Sequence, residues 1–280
     1  MPHATASDGT RIYYELSGRA EGEPVLMLQG LGTDSRGWIL QRRAVGRRHR
    51  VVVVDNRGVG RSDVPPGPYD LVVMAADAVA VLDHAGFRDT HVVGVSMGGI
   101  LAQILAVAYP ERVRSLVLTA TSCRHHPWRR ELLADWDEVA RHQGMRALLG
   151  RSMRWLIGPR SRRRFGLTLG LLAQLILNAR PEAFAAQVQA ILGMDDSLRE
   201  SLGAVAVPTL VVAGTQDILT PVGDSEELAE LIPGARLAVI SGAAHGFVAE
   251  QAREYNRLLT EFLDEVTGTG DASQDVAATA

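Results

Sequence analysis

Gly94-Val95-Ser96-Met97-Gly98-Gly99 is the stretch on which the reading of this chain turns. It closes the β-branched run His91-Val92-Val93-Gly94-Val95 and opens a helical pattern from Gly99 to Ala108. A strand that turns directly into a helix leaves little room beside the turn, so the flanking residues must be small and the central Ser96 is forced outward. The new helix aims its free N–H groups and positive dipole end towards that serine. Gly-x-Ser-x-Gly arises often by chance, and Ser96 could simply cap its helix. The strand before it and the helix after it give the pattern its weight.

Outward from this turn the same alternation recurs. Val25-Leu26-Met27-Leu28, Val51-Val52-Val53-Val54, Leu116-Val117-Leu118 and Thr209-Leu210-Val211-Val212-Ala213 are short continuous apolar runs. Such runs suit parallel strands covered on both faces. Helical patterns such as Ala75 to Ala85 lie between them, which predicts an α/β chain with a mostly parallel, doubly wound sheet. Thr10 to Leu16 alternates apolar and polar residues and predicts an antiparallel edge strand.

From Arg124 to Gly203 the β-branched runs stop, and thirteen Arg and three of the four Trp appear (Trp128, Trp136, Trp155). The pattern there is helical, broken at Gly158-Pro159 and Pro181. The predicted organisation is an α/β part over 1–123, a helical insertion over 124–203, the α/β part resumed over 204–266, and a disordered polar tail over 267–280. Leu167 to Leu177 is the longest greasy stretch, about half the roughly 20 residues a membrane helix needs, and predicts a core or lid helix.

Composition narrows the partners. The 280 residues are 46% apolar and 22% charged, as expected of a globular chain. The net charge of −3 gives no reason to expect nucleic acid, and all 29 basic residues are Arg, which reads as codon bias. The single Cys123 excludes an internal disulfide and cannot alone build a zinc site. Met1 to Gly9 lacks the basic and apolar regions of a secretory signal, so a cytoplasmic location is expected. The expected partner is a small-molecule substrate, with no nucleic acid and no membrane; a homodimer stays open.

A serine hydroxyl is a weak nucleophile and needs a base, itself oriented by a carboxylate. On this kind of sheet the chain order is serine, acid, histidine. Asp217 follows the run ending at Ala213, and His245 follows the strand candidate Leu237 to Ile240. Each falls just beyond the carboxyl end of a strand, where open α/β sheets place their sites. An Asp after a strand is often only a turn residue, and a single His of eight is usually on the surface. All three in order, each at a strand end, are much harder to obtain by accident. The oxyanion of acyl transfer also needs donors. The Met97 N–H is one candidate; Leu31 N–H, in Gln29-Gly30-Leu31-Gly32, is the other, unless that loop is a plain glycine turn.

These residues resemble the α/β-hydrolase superfamily over roughly Thr10 to Val266. Asp55-Asn56-Arg57-Gly58-Val59-Gly60-Arg61-Ser62 and Pro110-Glu111-Arg112-Val113 resemble two further motifs of that family. The resemblance implies Ser96 as nucleophile, Asp217 as acid, His245 as base and 124–203 as cap. Similar sequences include esterases, enol-lactonases, carbon–carbon bond hydrolases, cofactor-free haloperoxidases and polyketide-tailoring esterases. Gln29 stands where the family commonly has His; it is neutral, donates and accepts, and is a candidate substrate contact. Ser96 separates the chain from members with a carboxylate nucleophile.

The expected activity is serine-dependent hydrolysis of a carboxylic ester, lactone or thioester with an apolar body, through an acyl-enzyme, with no cofactor and no metal. The alternative keeps the triad but ends in elimination, cyclisation or acyl transfer on a polyketide-like substrate. A third reading, a non-catalytic binding protein, sits poorly with an intact Ser96, Asp217 and His245. Trp128 and Trp155, with Trp136, are candidates to line the pocket. Arg160, Arg162, Arg163 and Arg164 could meet a carboxylate, although such runs are usually solvated. Cys123 reads as a small buried residue near the cap hinge.

Overall fold

Alternate residues of the short apolar runs point to opposite faces of one sheet, and both faces are covered. In the computed structural model, residues 2–164, 177 and 179–268 are described. The strands are β1 (His3–Thr5), β2 (Arg11–Gly18), β3 (Pro24–Leu28), β4 (Arg50–Val54), β5 (Thr90–Val95), β6 (Val113–Thr119), β7 (Thr209–Gly214) and β8 (Arg236–Ile240). They form an eight-stranded sheet in the order β1-β2-β4-β3-β5-β6-β7-β8. β1 and β2 pair antiparallel, as do β2 and β4; the remaining pairs are parallel. This is the α/β-hydrolase fold expected from the sequence.

The helices are α1 (Ile39–Val45), α2 (Leu71–Ala85), α3 (Met97–Ala108), α4 (Pro127–Gln143), α5 (Met145–Leu156), α6 (Pro181–Leu192), α7 (Ser197–Ser201), α8 (Val222–Leu231), α9 (Phe247–Glu250) and α10 (Ala252–Val266). Leu26, Leu28, Val52, Val54 and Val92 share an apolar cluster with α2, α3 and α8. Their neighbours Val25, Met27, Val51, Val53 and Val93 share a second cluster with Trp38 and α10. Full burial of each such side chain stabilises the fold by about 1.5–3 kcal/mol. The two-residue period therefore fixes which helix covers which face.

Two sequence expectations need correction. β2 is not the edge strand: the three-residue β1 covers it, and so short a segment carries no readable alternation. α2 begins at Leu71 and not at Ala75, because the Asp70 carboxylate accepts from Val72 N at 2.7 Å and Val73 N at 3.1 Å and caps the extra turn. The helices α4 to α7 lie between β6 and β7, and Leu133, Trp136 and Phe184 among them join the cluster beneath α3. The helix expected from Leu167 lies outside the described residues as far as 176; Leu177 forms an isolated bridge with Thr33. The polar tail lies outside them from 269 onwards. Cys123 is buried, and burial pushes its thiol up to about 12, which removes it as a nucleophile.

Candidate active site

The turn at Ser96 is built by backbone touching backbone. A Cβ on Gly94 would fall 2.2 Å from Gly98 O, and one on Gly98 would fall 2.1 Å from Leu28 O. Only glycine fits either position. Ser96 itself adopts φ 54° and ψ −120° and makes no side-chain capping bond, so it is not there to cap α3. Such a backbone costs about 1–3 kcal/mol and persists only when its surroundings hold it. Here Ser96 N donates to Thr119 O at 3.0 Å, while Ser96 O accepts from Gly99 N at 2.9 Å and from Thr121 Oγ1 at 2.8 Å.

Asp217 sits in the turn after β7 and His245 in the turn after β8. His245 Nδ1 lies 2.8 Å from Asp217 Oδ2, and both side chains are buried. The carboxylate also accepts from Leu219 N and Thr220 N, each at 2.9 Å, and from Thr220 Oγ1 at 2.7 Å. Burial pushes the Asp217 carboxyl up, but the His245 charge and hydrogen bond, with the Thr220 donors, outweigh it and hold the group below its ordinary range. An ionised Asp217 keeps the His245 proton on Nδ1 and leaves Nε2 as the basic nitrogen. Ser96 and His245 line the same cavity.

Leu31 and Met97 line that cavity too, and neither backbone N–H has an acceptor among the described residues. The loop carrying Leu31 lies against the serine, since a Cβ on Gly30 would come 3.2 Å from Ser96 Cβ. Gln187 on α6, fully buried, holds this loop: its Oε1 accepts from Gly32 N at 2.9 Å and its Nε2 donates to Arg57 O at 2.9 Å. Nothing in the sequence singled Gln187 out, because its partners are distant loops. Gln29 also lines the cavity. Its Oε1 accepts from Gly30 N and Thr33 Oγ1, each at 3.3 Å, and its Nε2 is buried without a partner among the described residues.

The cavity encloses about 220 Å³ and is lined mainly by apolar side chains, among them Leu133, Leu148, Leu149 and Phe184 of α4, α5 and α6 and Val95, Met97 and Ile100 around the serine turn. Trp136 is in its wall; Trp128 and Trp155 are not, which corrects the expectation that they line it. They stack on each other at 6.0 Å and 15°, with Trp128 38% exposed. The reason is helical phase. Arg129, Leu133, Trp136 and Ala140 form the buried stripe of α4, at spacings of four, three and four, and Trp128 falls beside it. That spacing was the signal for Arg129, 2% exposed and in the cavity wall. Arg160, Arg162, Arg163 and Arg164 are exposed and outside the cavity lining. Among the described residues no group of three or more His, Cys, Asp or Glu could hold a metal ion, and no helix is long and apolar enough to cross a membrane.

Residues 23–147 match the family model of the alpha/beta hydrolase fold, and residues 192–276 match that of TAP-like proteins. A protein of Azorhizobium caulinodans named as the carbamate hydrolase RutD is 34% identical, over 95% of this chain and 99% of its own. The 3-oxoadipate enol-lactonase 2 of Acinetobacter baylyi is 28% identical, over 90% and 92%. Among solved structures, an enol-lactonase from Burkholderia xenovorans superposes with a TM-score of 0.87 at 28% identity, covering 94% of this chain and 99% of that one. A thermophilic esterase from Thermogutta terrifontis gives 0.87 at 30% identity, covering 95% and 98%.

Proposed function

Since the chain belongs to the α/β-hydrolase family of enzymes, we propose that it is a serine hydrolase of a carboxylic ester, lactone or thioester with an apolar body. Ser96 attacks the carbonyl carbon while His245 Nε2 takes the hydroxyl proton. His245 then delivers that proton to the leaving group, and Asp217 stabilises the imidazolium and holds its orientation. The Leu31 and Met97 amides hold the oxyanion. Water, activated by the same histidine, releases the acid from the acyl-enzyme. The helices α4 to α7 act as the cap that excludes bulk water and shapes the apolar pocket.

One observation carries this reading: the Asp217–His245 pair, 2.8 Å apart, faces a cavity that also holds a serine in a strained, uncapped backbone. The relatives' names, carbamate hydrolase and enol-lactonase, are consistent with attack on an activated acyl carbonyl. Ser96→Ala should abolish turnover of p-nitrophenyl esters and labelling by a fluorophosphonate probe while the thermal midpoint holds. Turnover surviving in that variant would remove the mechanism. Products formed in oxygen-18 water must carry label in the acid; unlabelled product would favour elimination, cyclisation or transfer.

A further inference from the structure

Beside the serine turn, the loop after β6 and the first turn of α4 place a second polar group in the wall of the cavity. Ser122, His125 and Arg129 all line it. Arg129 is 2% exposed. Its Nη1 donates to Ser122 Oγ and to Arg124 O, each at 3.0 Å, and its Nη2 donates to Asp224 Oδ2. Its Nε is buried with no partner among the described residues, and so are both ring nitrogens of His125. In this patch three buried polar atoms thus lack partners, besides Gln29 Nε2 elsewhere in the wall; all are closed off from the cavity's free space, so a bound group meets them once the side chains turn towards it. Leaving such atoms unmatched is costly, and a bound group that matches them recovers that cost.

We propose that this patch binds an uncharged carbonyl carried by the substrate, a ketone or an amide, in addition to the carbonyl attacked by Ser96. Charge decides between an anionic and a neutral partner. Arg129 is already neutralised by the buried Asp224, so a substrate carboxylate would face Asp224 across one guanidinium in a poorly screened site. Burial, with Arg129 and Arg130 alongside, holds the His125 pKa down at about 3, so the ring stays neutral and offers one donor and one acceptor. A neutral carbonyl oxygen takes the Arg129 Nε–H and the His125 N–H without adding charge. The attacked end of the substrate is assigned by the ester-hydrolase reading; the patch itself is tested by binding, which needs no turnover.

Ser96→Ala protein is titrated calorimetrically with three esters of matched shape: ethyl levulinate, ethyl valerate and monoethyl succinate, each also in a form one methylene longer. The keto ester of at least one length should bind about tenfold tighter than its alkyl and carboxylate counterparts, the gain of roughly one net hydrogen bond. His125→Phe in the same background should bring the keto and alkyl affinities together, and His125→Asn, which keeps a donor and an acceptor, should restore part of the difference. Should a His125 variant fail to fold, nitrogen NMR of the His125 ring during titration of the parent decides, since ligation must shift its resonances. Equal affinities across each set, tightest binding of the carboxylate, or an unmoved ring would overturn the proposal. Failure of the fluorophosphonate and turnover tests would remove the hydrolase reading without altering these affinities.

Discussion

Thr220 donates its hydroxyl to Asp217 Oδ2 at 2.7 Å, the same oxygen that His245 Nδ1 meets at 2.8 Å. The Thr220 oxygen also lies 3.2 Å from His245 Nδ1, so it touches both members of the pair. In the proposed mechanism Thr220 is therefore a positioning residue, acting on His245 through Asp217. Thr220→Val keeps the shape and the backbone donor but deletes the hydroxyl. The Asp217 carboxyl loses a donor that lowers its pKa, so its pKa rises. The Asp217–His245 pair is then held by one contact fewer, so kcat at neutral pH should fall about tenfold, the loss of one strong hydrogen bond, and fluorophosphonate labelling of Ser96 should slow with it. Thr220→Ser should restore both. A kcat and a labelling rate identical to the parent's would reduce Thr220 to packing.

Gln187 links two loops that the sequence keeps far apart. Gln187→Leu leaves the Gly32 N–H and the Arg57 carbonyl without their side-chain partner. Each unmatched buried group costs about 1–3 kcal/mol, so the urea midpoint should fall clearly. Turnover should fall further than the folded fraction does, because the freed loop carries the Leu31 amide. Equal losses of activity and folded fraction would assign Gln187 to stability alone.

Glycine substitutions separate the turn from the rest of the chain. Gly98→Ala drives a Cβ to 2.1 Å from Leu28 O, a backbone atom of a central strand that cannot yield. A loss of about 3 kcal/mol or more, or insoluble protein, is expected. Gly150→Ala lies in α5 with open space around the new methyl. It should stabilise the fold by about 0.5–1 kcal/mol. Thermal denaturation of the pair side by side checks both signs.

Buried imidazoles set the response to acid. Burial is the largest cause of lowered pKa values at His49, His91 and His125, the last falling to about 3 from an ordinary 6.5. As pH falls below 6.5 the unfolded chain takes up protons that the folded chain refuses, so folding stability falls. Between about pH 6.5 and pH 5 the urea midpoint should decline, and His125→Phe should flatten part of that slope. Asp77 and Asp224, whose carboxyls burial raises, act with the opposite sign nearer the carboxylate range, which is why the test stays above it. A midpoint independent of pH in this window would contradict the burial of these rings.

The parts of the site legible in the sequence are those fixed by local geometry. Gly94, Ser96 and Gly98 follow from one tight turn, and Asp217 and His245 from the ends of strands that announce themselves as β-branched runs. The wall of the cavity was less legible. Trp128 and Trp155 attracted attention by residue type, whereas the fourfold and threefold spacing of Arg129, Leu133, Trp136 and Ala140 decides which face of α4 turns inward. Gln187 and His125 owe their roles to neighbours brought together by folding, and no local pattern marks either. β1 escaped notice because three residues are too few to alternate.

The contact of Gly98 with Leu28 O, across the register in which Leu28 faces Gly94, welds the Ser96 turn to the root of the Gln29–Gly32 loop. The position of Ser96 is thereby inherited from two neighbouring central strands with no side chain interposed between them. Much of the rest of the chamber's wall comes from the inserted helices α4, α5 and α6, of which α6 touches the loop through Gln187. Substitutions on the inner faces of α4 and α5 can therefore reshape the chamber while the backbone junction of Gly98 with Leu28 stays as it is.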